Sequence, residues 1–196
     1  MPAPALSPQE ALARLMDGNA RFVSGLALHH NQDSGRRIEV AREQHPIAVI
    51  LSCSDSRVPP EIIFDQGIGD LYVVRTAGGV ADDLALGSLE YAVDHLGVHL
   101  IVALGHQSCM AVAEALRIPS GAAHLDRVLK LIRPAVEKVL NKPGEVLDNA
   151  VRANTELVVE LLKNCQPLLS RYVKENRLRI AGARYDLISG KVTFYG

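Results

Sequence analysis

Three runs of apolar, largely β-branched residues decide what this chain can become. "PIAVILS" begins at Pro46, "DLYVVR" at Asp70 and "HLIVALG" at His99, and each is short enough to be a strand and too short for a long helix. Runs of this kind, with no polar residue at alternate positions, make strands buried on both faces. Between the second and third lies "DDLALGSLEYAVDHLG", whose apolar residues recur at helical spacing, and "SCMAVAEAL" opens another helix after the third. Strands alternating with helices predict a parallel α/β sheet with right-handed crossovers. In such sheets ligands collect at the carboxyl ends of the strands.

The flanks are helical. In "SPQEALARLMDGNARFVSG", Ser7 is placed as an N-cap, Pro8 at the first helical position and Glu10 to close a capping box. A polar loop with His29, His30 and Asn31 leads to a short second helix over 35–43. Further helical patterns cover 123–141, 147–164 and 167–176, and "LRIAGARYDLISGKVTFYG" predicts a last strand, a turn at Ser189-Gly190 and a short extension. No internal repeat is visible. The expectation is one domain over 1–196, with a helical arm (1–45) and a core (46–196).

Composition removes several classes of function. A net charge of -1, with basic residues scattered along the chain, gives no electrostatic footprint for nucleic acid. No apolar run approaches the roughly 20 residues that cross a membrane, and "MPAPALSPQEALARL" lacks a basic segment followed by an apolar one, so the expected location is the cytoplasm. The 3 cysteines cannot all pair, and reduced thiols free to bind a metal are the better reading.

Two of those thiols fall at strand ends. "ILSCSDSRVPPE" places Cys53 just past the first core strand, and "GHQSC" places His106 and Cys109 just past another. Two thiolates and an imidazole suit Zn²⁺, and three protein ligands leave the fourth tetrahedral position open for chemistry. H-x-x-C alone is a weak signal; a third ligand at a second strand end strengthens it. Cys165, inside a helical pattern, reads as a small buried hydrophobe, and the histidines at 29, 30, 45, 99 and 124 as solvated or structural groups. Asp55 and Arg57, at alternate positions of an extended turn, can face the same way as a carboxylate fixed by a guanidinium. Such a pair either orients a nucleophile at the metal, or ligates the metal through Asp55, or simply caps the strand. A cysteine phosphatase loop does not fit: it needs five residues between cysteine and arginine, and here three intervene, one of them acidic.

"CSDSRV" followed some fifty residues later by "GHQSC" resembles the β-class carbonic anhydrases, and the likeness extends through "GSLEYAVDHLGV" to "MAVAEAL" and more loosely to the C-terminus. The resemblance implies four parallel strands with an added antiparallel one, helices on both sides, and N-terminal helices wrapping the partner in a homodimer or larger assembly. It implies one zinc per subunit on Cys53, His106 and Cys109, with Asp55 and Arg57 as the dyad beside it, and reversible hydration of CO2 to bicarbonate and a proton by zinc-bound hydroxide. Gln44, Tyr72 and Tyr91 occupy the family's pocket positions, and Gln44 and Tyr91 are expected to serve the neighbouring subunit's zinc. Met110 stands where the family usually has glycine, and "RTAGG" where it more often has an R-N-A-G-N-like run. These departures keep two alternatives open: a carbonyl sulfide or carbon disulfide hydrolase of the same family, and a zinc- or bicarbonate-binding protein without turnover.

Overall fold

The computed structural model describes residues 6–117 and 121–195. Its centre is a five-stranded sheet built from β1 (Ala48–Cys53), β2 (Leu71–Thr76), β3 (Leu100–His106), β4 (Arg179–Tyr185) and β5 (Val192–Tyr195), in the order β2-β1-β3-β4-β5. The first four run parallel, and β5 returns antiparallel to β4, pairing Tyr185 with Val192 and Gly182 with Tyr195. The expected short extension is therefore the antiparallel strand.

All six residues of β1 are buried, as the unbroken apolar run requires. Alternation sorts their side chains to the two faces. Val49, Leu51, Ile101, Ala103 and Ile180 form one core with Leu89, Val159 and Leu162. Ala48, Ile50, Leu100, Val102 and Leu104 form another with Leu15, Ile63 and Phe64. Around the sheet lie the helices α1 (Pro8–Ser24), α2 (Ser34–Glu39), α3 (Pro60–Ile63), α4 (Asp83–Asp94), α5 (Met110–Ala115), α6 (Ala123–Glu137), α7 (Val146–Asn164) and α8 (Leu168–Lys174). Among the described residues no helix is long and apolar enough to cross a membrane.

The capping box at Ser7 forms: Glu10 N–H donates to the Ser7 hydroxyl oxygen at 3.3 Å, and Ser7 N–H to the Glu10 carboxylate at 2.8 Å. Helix α1 then lies on its own chain's core. Ala11 and Leu15 are buried, and the Asn19 amide donates to the carbonyls of Ile63 and Gly190 while its oxygen accepts from Val192 N–H. Met16 and Val23 stay exposed. The arm beyond α1 is tied to the β1–β2 connection by two buried carboxylates. Asp65 accepts from Arg21 Nε at 2.6 Å and from the N–H groups of Leu28 and His29 at 3.1 Å each. Asp70 accepts from Asn31, Arg36 and Gly67.

Some boundaries differ from the sequence expectation. Helix α2 ends at Glu39, short of 43; it buries no side chain, so little beyond its Asp33 cap extends it. Helix α6 ends at Glu137, with 138–141 in turns. Cys165 is the C-cap of α7 rather than a residue inside a helix, and it is only half-buried.

Candidate metal centre

β1 and β3 are adjacent and parallel, so their carboxyl ends emerge side by side at one edge of the sheet. Cys53 closes β1 and His106 closes β3. A tight turn then reverses the chain, with Ser108 in the left-handed region at φ 53°, and returns Cys109 to the start of α5. Non-glycine residues hold that conformation only when their surroundings impose it, which makes this turn a built feature of the site.

The ligating atoms of Cys53, His106 and Cys109 all lie within 4.8 Å of one another, and all three residues are buried. The two sulfurs are 3.9 Å apart. Two bonds of about 2.3 Å meeting at a tetrahedral angle span about 3.8 Å, so the thiol pair already has the spread a zinc ion needs. The Cys109 thiol donates to Cys53, which holds the Cys53 thiol down at about 4 despite burial, while the same contact and burial push Cys109 far up. A cation between them would release that second proton.

His106 supplies the sharpest test of fit. Its Nδ1 lies 2.9 Å from the carbonyl of Gln107, which fixes that nitrogen as the protonated one and turns Nε2 inward as a bare acceptor. Nε2 is buried and has no hydrogen-bond partner among the described residues. An orphaned buried acceptor is costly, and a metal beside two sulfurs is the partner this one fits.

Asp55 stands over the cluster, with one carboxylate oxygen 3.9 Å from His106 Nε2. Arg57 grips it from the far side: Nε and the backbone N–H donate to one oxygen at 2.9 Å each, and Nη2 to the other at 2.7 Å. The Arg57 guanidinium holds the carboxyl at about 2, well below the ordinary carboxylate range. Arg75, from the neighbouring strand, donates to the carbonyls of Cys53 at 3.0 Å and Asp55 at 2.6 Å and so pins the backbone that carries both. Gly78 N–H donates to Cys53 Sγ at 3.3 Å. Sequence reasoning passed over Arg75 and Gly78, although both sit in "RTAGG": Gly78 donates from its backbone, which leaves no trace in residue type, and Arg75 donates from its side chain to backbone carbonyls.

The remaining expected site residues lie elsewhere. Gln44 is exposed and precedes β1, at the amino end of the strands. Tyr72 pairs with Val49, four positions before the Cys53–Thr76 pair, or about 13 Å along the strand. Tyr91 is 45% exposed, with its ring 6.4 Å from that of Tyr72 and stacked at 5.0 Å on His95. All three are thus remote from their own chain's cysteines. Met110 follows Cys109 directly and is 64% exposed, so its side chain does not turn aside into the core.

Comparison with known proteins agrees with this geometry. The sequence profile of the family described as "Carbonic anhydrase" matches residues 48–192. Carbonic anhydrase 2 of Mycobacterium tuberculosis is 40% identical over 194 residues, covering 96% of this chain and 93% of that protein. The carbonic anhydrase of Mycolicibacterium smegmatis is 38% identical over 195 residues, covering 96% and 94%. Among solved structures, the β-carbonic anhydrase of Coccomyxa in complex with acetazolamide superposes with a TM-score of 0.76 at 26% identity, over 93% of this chain and 85% of that one. A tetrameric β-carbonic anhydrase of Sordaria macrospora shares the fold, with a TM-score of 0.75 at 24% identity over 95% and 98%.

Proposed function

Because the chain belongs to the carbonic anhydrase family, in its β class, we propose that it catalyses the reversible hydration of CO2 to bicarbonate and a proton, with one zinc ion per subunit on Cys53, His106 and Cys109. The observation that carries this reading is the buried Nε2 of His106, which has no hydrogen-bond partner among the described residues and faces two thiols and a clamped carboxylate. Zinc, when bound there, acts as a Lewis acid that makes a hydroxide nucleophile available near neutral pH.

The chain's own groups do the rest. Asp55 is kept ionised by Arg57, so it accepts a hydrogen bond and donates none. In that state it holds the attacking oxygen's proton away from the CO2 carbon and leaves a lone pair directed at it. Both Asp55 oxygens are engaged by Arg57, which supports an orienting role over metal ligation. Two thiolates neutralise the ion's charge, so activity should favour alkaline pH.

Gln44, Tyr72 and Tyr91 are assigned to the substrate pocket of a neighbouring subunit, since each sits at the wrong end of the sheet for its own. The active form is then a homodimer or a larger assembly. The exposed Leu84, Tyr91 and Ile62 provide apolar surface for such contacts.

Stopped-flow CO2 hydration by zinc-loaded protein, from neutral to alkaline pH, tests the proposal. Hydration above background that rises with pH is expected; none at any pH would refute it. Carbonyl sulfide hydrolysis measured on the same sample decides the alternative raised by Met110, and a strong preference for that substrate would replace CO2 as the assignment.

A further inference from the structure

The buried face of α7 is apolar, carrying Ala150, Val151, Val158, Val159 and Leu162, with two polar residues in its middle. Thr155 answers to its own helix, donating to the Val151 carbonyl. Asn154 does not: its amide reaches across 76 positions to the carbonyl of Gly78, at 2.9 Å. Gly78 is the residue whose N–H donates to Cys53 Sγ.

We infer that Asn154 is a positioning residue for the metal site, acting through Gly78 to hold the N–H···S bond on Cys53. The linkage is confined on each side. Gly78 adopts φ 72°, and a Cβ there would sit 2.7 Å from Ile132 Cδ1, so only glycine brings its N–H this close to the sulfur. The Asn154 amide fixes the same residue from its carbonyl side. Asn154 is 4% exposed and, among the described residues, its Oδ1 has no partner, so the bond to Gly78 is the one its carboxamide makes there. An N–H donated to a thiolate withdraws charge from it, and such outer partners set both the affinity for the metal and the electron density it receives. The position leaves a trace in the sequence: Asn154 and Thr155 are polar residues in the middle of an apolar helical stripe.

This inference rests on the metal-site reading above, and cobalt separates the two. Co²⁺-loaded wild-type protein should show a thiolate-to-cobalt charge-transfer band; its absence would sink the metal-site reading itself. With the band present, Asn154→Leu should move it to longer wavelength and weaken Co²⁺ binding on the order of 10-fold or more in chelator competition. Should that variant not fold, Asn154→Ser, too short to reach Gly78, replaces it in the same assay. The control is Asn19→Leu, which removes an equally buried asparagine that, among the described residues, bonds only to Ile63, Gly190 and Val192. It should lower stability and leave the band in place. An unchanged band and affinity in the Asn154 variant, or an equal shift in Asn19→Leu, would overturn the inference.

Discussion

The strand-end cluster and the group of Gln44, Tyr72 and Tyr91 lie toward opposite ends of one sheet and reach different degrees of completion within one chain. At the carboxyl ends of β1 and β3 every group is held. Arg57 grips Asp55, Arg75 pins the backbone, Gly78 caps the sulfur and the Gln107 carbonyl fixes His106. At the amino ends, Gln44 is exposed and Tyr91 rests on His95 in contact with solvent. The difference is the one the proposed function calls for, with metal chemistry prepared inside one subunit and the surface that receives substrate completed by another.

Breaking the finished half should have the largest effect. Cys109→Ser removes a ligand, and zinc content by elemental analysis should fall to background together with CO2 hydration. A variant that keeps a full equivalent of zinc would show that Cys109 is not a ligand.

The unfinished half can be loosened where the arm is anchored. Burial raises the Asp65 carboxyl, but donation from Leu28 N–H, Arg21 and His29 N–H outweighs it and leaves the group below its ordinary 3.8. Asp65→Asn should destabilise the fold by about 3 kcal/mol at neutral pH, because a buried partner of Arg21 is lost. A depressed carboxylate contributes fully above its unfolded value and loses that contribution as pH falls through its native one. The gap between wild type and variant in denaturant melts should thus be constant at neutral pH and shrink once pH drops below 3.8.

Smaller effects are expected at the pocket itself. Gln44→Ala should lower kcat/KM roughly 100-fold, the scale of losing one placed donor, with zinc content unchanged. Arg57→Ala leaves Asp55 ionisable but unclamped and should cost roughly 10-fold in the same assay at full zinc occupancy. Met110→Gly should change hydration least, because the methionine points to solvent; a marked rise would mean that it narrows the pocket in the assembled enzyme.

Much of the fold and the metal site is readable in the sequence, for physical reasons. Cysteine and histidine announce soft-metal chemistry by type, and continuous apolar runs announce parallel strands, so the ligands can be assigned to strand ends from residue order alone. The supports are harder to see. Gly78 acts through its backbone, Gln107 through a carbonyl, and Asn154 through a contact 76 positions away that no local pattern encodes. The short α3 and the position of Cys165 at the end of α7 depend on packing rather than periodicity.

Mixed assembly tests the contrast most directly. Cys53→Ser chains lack a metal site but keep their pocket residues, and Gln44→Ala/Tyr91→Ala chains keep the metal site but lack the pocket. Each alone should be nearly inactive. When the two are co-assembled, hybrid oligomers should regain CO2 hydration, because one site in each hybrid pair receives intact ligands from one chain and an intact pocket from the other. Hybrids that form, bind zinc and stay inactive would contradict the account.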